Sequence, residues 1–411
     1  METWAWRFFL SGFCCLPFSI TLGQTLLIPA LVLQTVSLAR NRRLWRWPTT
    51  AWGGLLYLLV TLLAAGLQPE LARGWDRLSG LRWLILLPVA ATFVTDHRRR
   101  TAFLAALATG SVLLALLTLI ANPWQAWNAL RAEHATVSTF SEALIHEGGI
   151  IQAQLLMLGM LATLGLLALP VAEKKRWLLP TALAVQAFAF ILHFKRGSWI
   201  CFVPLLVVWI VFRTRGKRLW ILLPALALGL ATMAVVPPVR HRISHIRQEL
   251  DARHGGRWTM WTQVLPGLVR DYPWGLGYRQ LTNERMREYA PHVEPDRNHL
   301  HSNIAQTLSD SGWPGLGAYL LWMGGSLALA LRRAWLARRS SEQESVLAAT
   351  FLLMFVALLA NGLVEFNFGT SVLKMTLLVI LVCLETPAFS GIPPDHGSPF
   401  RRNTPFSVFR I

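Results

Sequence analysis

The sequence predicts an all-α polytopic membrane protein with about 12 transmembrane helices and one large, partly helical loop outside the membrane. Three observations lead there. Of the 411 residues, 54% are hydrophobic and only 15% are charged, whereas soluble domains carry about 25% charge. Apolar runs near the roughly 20 residues that cross a bilayer recur along the chain. Basic residues collect in alternate connections, as they do when those connections face the cytoplasm.

The spans fall in order. Residues 8–38 hold two short apolar segments, broken near Thr21–Gln24. Others follow at 49–66, 81–95, 102–121, 149–170, 177–194, 198–213, 219–237, 313–331, 346–364 and 370–386. No cleavable signal peptide is expected, because no small-residue cleavage site occurs near the N-terminus and apolar spans continue behind it. The domain layout is therefore 1–237, nine helices; 238–312, an outward catalytic loop; 313–386, three more helices; and 387–411, a Pro-rich, polar cytoplasmic tail expected to be disordered.

The connections after even-numbered spans are Arg40–Arg46, Asp96–Arg100, Glu173–Arg176, Arg213–Arg218 and Arg332–Arg339, with 4, 3, 3, 4 and 4 basic residues. This bias puts both termini in the cytoplasm. It also accounts for most of the net charge of +18, so no nucleic-acid partner is expected. The four cysteines, Cys14, Cys15, Cys201 and Cys383, lie in apolar runs. That argues against a disulfide framework and a zinc site.

Residues 238–312 hold ten Arg, eight acidic residues and six of the eleven His. A loop of that composition, tied to the membrane at both ends, is where chemistry is expected. A second outward region, 122–148, carries Trp124, Trp127, His134, Glu142, His146 and Glu147.

Four segments can bind or react. Lys195–Trp199 reads KRGSW and joins two spans, so Arg196 belongs at the outer membrane boundary. It can meet an anionic headgroup there or simply snorkel. Gly197 and Ser198 permit a tight turn and a helix N-cap, whose backbone N–H groups can join Arg196 on a phosphate. In Arg240–Arg257, most arginines read as a solvated face. Arg257 differs because it follows Gly255–Gly256 and opens an amphipathic segment suited to a helix on the membrane surface. A guanidinium grips phosphate oxygens bidentately, which suits a diphosphate better than Lys does.

Tyr272–Tyr278, YPWGLGY, signals turns. His299–Leu300–His301–Ser302–Asn303 then opens a short helix, with Ser302 as N-cap and Gly312 beyond its end. His301 falls at the helix N-terminus, where the partial positive charge disfavours the imidazolium. On a helix His299 and His301 point apart, and no metal is expected. There is no D-x-D, G-x-S-x-G, H-E-x-x-H or Walker A motif. The spans carry almost no charge beyond Glu365 and Lys374, which disfavours an ion-coupled carrier.

HLHSNIAQTLSDSGWPGLGAYL (299–320) resembles the H-x-H-N-x-x-L…G-x-x-G-L pattern of the O-antigen ligase and polymerase superfamily. RWTMWTQVLPGLVRDYPWGLGY (257–278) is similar to its R-x-x-x-W…P-x-x-G-x-G segment, and KRGSW to its Arg-Gly/Ser element after the seventh span. The likeness covers residues 149–320. Ser302 stands where many members have Asn, and Asp310 where many have Glu.

The resemblance implies a C-class glycosyltransferase fold. It also implies metal-independent transfer at the periplasmic face of the bacterial inner membrane. The donor would be an undecaprenyl-diphosphate-linked O-antigen and the acceptor the lipid A–core oligosaccharide, with membrane lipids around both. It implies catalytic roles for His301, as general base on the acceptor hydroxyl, and for Arg196 and Arg257 on the diphosphate. Lys195, Ser198, His299, Ser302 and Asn303 are the expected substrate-binding residues, and no cofactor is expected. Direct attack at the anomeric carbon would invert its configuration. The alternatives are an O-antigen polymerase using the same donor and, from a different class, a carrier for lipid-linked sugars.

Overall fold

A computed structural model describes residues 2–41, 45–67, 77–130, 149–169, 177–193, 195–213, 219–222, 224, 226–229, 255–295 and 297–385. Among them there is no strand. The helices are α1 (Glu2–Cys15), α2 (Ile20–Arg40) and α3 (Thr49–Gly66), then a 3₁₀ segment, Ser79–Ile85, running into α4 (Leu86–Phe93). They continue as α5 (His97–Leu130), α6 (Gly149–Ala168), α7 (Leu178–Leu192) and α8 (Arg196–Arg213). After the long connection come α12 (Asn303–Ala337), α13 (Glu342–Gly362), a 3₁₀ turn (Asn367–Gly369) and α14 (Ser371–Glu385).

Seven of the described helices are long and apolar enough to cross a membrane. They are α2, α3, α5 over His97–Ile120, α6, α8, α12 and α13. The expected number was about 12. Ser79–Phe93 and Leu178–Leu192 are apolar but shorter, and the segment expected at 219–237 lies mostly outside the described residues. So do most of 122–148, 238–254 and the tail 387–411.

Contacts between chain ends give the bundle two opposite faces. At one, Arg100 at the start of α5 pairs with Glu344 at the start of α13. There too Arg213 at the end of α8 pairs with Glu342 at 2.7 Å, Arg338 lies 5.4 Å from the Phe212 ring, and Glu385 accepts from the N–H groups of Thr49 and Thr50. Basic residues from several of the expected cytoplasmic connections thus share one end. The starts of α8, α12 and α14 and the end of α13 meet at the other.

The core is aromatic where helices cross. Phe9, Phe13, Phe93 and Phe103 pack together, and Tyr57, Tyr319, Trp322 and Phe368 make a second group. Such rings add about 0.5–1.5 kcal/mol per pair beyond area burial. Gly53 and Gly54 let α3 close on Trp322, since a Cβ on Gly53 would lie 2.5 Å from its ring.

The segment between α8 and α12 folds on a small core of its own. It comprises α9 (Arg257–Thr259), a π turn (Met260–Val264), α10 (Leu265–Asp271) and α11 (Asn283–Tyr289). Met260, Val264, Leu268, Leu281, Met286 and Leu300 fill its interior. The amphipathic stretch expected to lie on the membrane surface therefore turns much of its apolar face into this core.

One joint locks the segment to the bundle. The short helix expected after Ser302 ends in a break at Gly312 and a second helical stretch follows, as the separate span expected from residue 313 requires; α12 is this pair joined across the kink. Gly312 has φ 61° and ψ −163°, a region essentially restricted to glycine. Pro314 has no N–H to give Asp310, so that carbonyl is left free. Gly277 N–H donates to it at 2.9 Å, Leu276 N–H donates to Ser309 O at 2.8 Å, and Trp313 N–H returns to Pro273 O at 3.3 Å. The YPWGLGY turn thus supplies the hydrogen bonds that the kinked helix lacks. Lys374 Nζ adds a second anchor, donating to Tyr278 Oη at 2.9 Å and Gly80 O at 2.8 Å.

Candidate active site

Ser302 caps α12 as expected, its hydroxyl accepting from Ala305 N–H at 3.4 Å. Asn303 fixes the same turn to the α13–α14 connection. Its Nδ2 donates to Asn367 Oδ1 at 2.6 Å, and its Oδ1 accepts from Phe368 N–H at 3.0 Å. Gln306 Oε1 accepts from Leu300 N–H at 2.8 Å, while its Nε2 donates to Asp310 at 2.7 Å. Trp261 Nε1 donates to Leu300 O at 2.7 Å. The backbone carrying the histidines is therefore held from three directions.

That backbone is irregular. His301 has φ 49°, an uncommon value for a residue other than glycine. The expectation that His299 and His301 diverge is overturned for this reason, because divergence holds for a regular helix and the left-handed φ at His301 breaks one. Their ring centroids are 4.1 Å apart, and His299 Nδ1 accepts from His301 N–H at 3.2 Å. Burial pushes the His299 imidazole down to about 3, with the neighbouring His301 adding to the effect. His299 is thus a neutral acceptor in the physiological range.

His301 is buried, and its Nδ1 lies 3.4 Å from Glu365 Oε2. The other oxygen of Glu365 takes an ion pair from Arg257. Burial by itself would raise the Glu365 carboxyl, but the His301 hydrogen bond and the Arg257 charge win, holding it below the usual range. Glu365 is a charged residue on the α13–α14 connection and bridges two of the three expected catalytic side chains. It was visible in the sequence as a rare charge near a span end. Its partners were not, because it is 64 residues from His301 and 108 from Arg257.

Arg196 is the first residue of α8. A Cβ built on Gly197 would lie 3.6 Å from Val364 Cγ2 and 3.9 Å from Asn361 Nδ2, so the α8 N-terminus lies beside the residue preceding Glu365. Lys195 precedes the helix, and its carbonyl accepts from Ser198 and Trp199 N–H. Ser198 is buried and its hydroxyl accepts from Asn361 Nδ2 at 3.5 Å. It faces a helix–helix contact. Among the described residues, no three His, Cys, Asp or Glu side chains form a metal-holding group.

Fold and site together define a multi-pass helical membrane protein in which the long connection and the α13–α14 connection meet in an Arg–Glu–His relay at one end of the bundle. Residues 180–320 match the family model described as O-Antigen ligase, which bears out the resemblance seen in the motifs. The match includes Arg196, Arg257, His299 and His301, and leaves Glu365 outside. At a coarse level it makes the protein an enzyme of the glycosyltransferase kind. No curated protein matches the chain.

Proposed function

We propose that the protein is an O-antigen ligase that transfers a glycan from undecaprenyl diphosphate to lipid A–core at the periplasmic face of the inner membrane. The observation that carries this reading is the Arg257–Glu365–His301 relay beside the N-terminus of α8, within and next to the matched segment.

Glu365 accepts a hydrogen bond from the Nδ1–H of His301, which leaves Nε2 as the basic nitrogen for the acceptor hydroxyl. As that hydroxyl loses its proton to Nε2, its oxygen attacks the anomeric carbon and the bond to the diphosphate oxygen breaks. The configuration inverts, and the leaving group departs as polyprenyl diphosphate. Arg196 and Arg257 offset the charge that grows on it. The ion pair with Glu365 holds the Arg257 guanidinium in place for the donor. The diphosphate supplies the driving energy, and neither metal nor nucleotide is required.

A polymerase would use the same donor, so the test varies the acceptor. Purified protein is incubated with polyprenyl-diphosphate glycan alone and then with added lipid A–core. Glycosylated lipid A–core formed only in the second reaction supports the ligase. Longer polyprenyl-linked glycan in the first would make the enzyme a polymerase.

A further inference from the structure

A separate cavity of about 470 Å³ lies between α3 and the Ser79–Phe93 stretch, within the range of about 300–1,000 Å³ common for ligand pockets. Its walls are apolar, including Trp47, Leu55, Leu58, Leu81 and Ile85. The one charged side chain among the described residues lining it is Arg82. From Leu78 to Pro88 the wall runs roughly 15–20 Å at the rise of 3₁₀ and α turns. That is about the depth of one bilayer leaflet, roughly 15 Å.

The charges at its mouth come from two elements. Arg82 is exposed and lies over the Trp83 ring at 5.2 Å. Arg77, just ahead of the same stretch, donates to Arg279 O. Arg279, also exposed, donates to Gly369 O at 3.4 Å. Among the described residues no carboxylate lies at salt-bridge distance from any of the three, and the nearest counter-charge is the buried Asp310, which the charges of Arg279 and Arg77 reach. Arg82 lines the slot itself, while Arg77 adjoins the wall residue Leu78 in the chain and is bonded to Arg279 O; guanidinium groups gathered in this way suit a lipid whose phosphates sit directly above its acyl chains.

The α13–α14 connection separates this mouth from the donor side. Glu365 faces Arg257 and His301, whereas Gly369, four residues on, meets Arg279. Those backbones lie at most about 15 Å apart. We infer that the slot between α3 and Ser79–Phe93, with Arg77, Arg82 and Arg279 at its mouth, holds the acceptor: a phosphorylated, acylated glycolipid whose sugars reach His301 from the side opposite the donor. This rests on the proposed transfer reaction for the ligand's role, and on the slot and its charges for the binding site. Three guanidinium groups fit an acceptor with two phosphates better than a phospholipid with one.

The test is retention of lipid by the full chain in detergent, read by native mass spectrometry. The probes are bisphosphorylated lipid A bearing core sugars, its dephosphorylated form and phosphatidylglycerol. Wild type should retain the first at least tenfold better than either of the others. Arg82→Glu combined with Arg279→Glu should lower that retention tenfold or more and leave polyprenyl-diphosphate binding unchanged. Leu58→Trp, which fills the slot without altering its charges, should do the same. Unchanged retention in these variants, equal retention of phosphatidylglycerol, or joint loss of donor binding would overturn the assignment. Wild type that retains the lipid yet transfers no glycan would instead remove the ligase reading and leave the site standing.

Discussion

His301 Nδ1 and Glu365 Oε2 lie 3.4 Å apart, although 64 residues separate them and they come from opposite ends of the α12–α13 pair. The contact gives the imidazole an orientation. It also places one carboxylate between a candidate base and a candidate phosphate ligand, so that disturbing Glu365 disturbs both.

Glu365→Gln therefore tests positioning. The amide preserves shape but loses the charge that Arg257 pairs with. Transfer should fall on the order of 100-fold, the lower range for general-base catalysis, and Glu365→Asp should recover part of it. Steady-state rates at varied donor separate the two consequences. A fall in kcat reports His301, and a rise in donor KM reports Arg257. Full activity in Glu365→Gln would leave the carboxylate a packing role.

Arg196→Ala and Arg257→Ala should each nearly abolish transfer in a folded protein. By analogy with oxyanion donors, each costs about 3 kcal/mol at the transition state. Lysine should rescue only partly, because it lacks the bidentate fork. Donor titrations on the four variants would check this, and normal rates in Arg196→Ala would return that residue to an interfacial anchor.

His299 predicts a pH effect on stability rather than on chemistry. Its folded value of about 3 lies below the roughly 6.5 of a free imidazole. Between those limits the unfolded chain binds the proton and the folded chain does not, so stability falls as pH falls from about 6.5 toward about 3. Thermal melts at decreasing pH should show that loss in wild type and less of it in His299→Gln. An identical acid dependence in both proteins would contradict the assignment of His299 as a buried neutral acceptor.

Gly312→Ala should destabilise the joint between the outward segment and the bundle. A Cβ there would lie 2.1 Å from Pro273 O, and the backbone conformation alone costs on the order of 1–3 kcal/mol for other residues. Protease should then cut within 272–282 faster than in wild type. Unchanged protection would show that the joint tolerates the change.

Much of this architecture could be read along the chain. Apolar length and basic alternation located helices now seen at 49–66, 149–168 and 342–362, and S-N-I-A marked the cap of α12. The histidines and Arg257 stood out in a loop too polar to be mere connection, and Arg196 in the short KRGSW link between two spans. What stayed hidden was long-range. No local pattern pairs Glu365 with Arg257, or Lys374 with Tyr278, because those contacts arise only when α13 and α14 return beneath the loop. The His299–His301 arrangement was missed because a left-handed φ at His301 breaks the periodicity on which side-chain direction is inferred. The run through Gly312 read as two helices and is two, and what the local pattern did not show is that Pro273, Leu276 and Gly277 supply the bonds that brace the kink between them.

The most direct test of the account is glycan transfer by the purified protein from polyprenyl diphosphate to lipid A–core in the presence of chelator, with wild type beside His301→Ala and His299→Ala. Wild type should form product without metal. His301→Ala should lose about 100- to 10,000-fold in rate while still binding donor, and His299→Ala should lose much less. Transfer by His301→Ala at the wild-type rate would contradict the account.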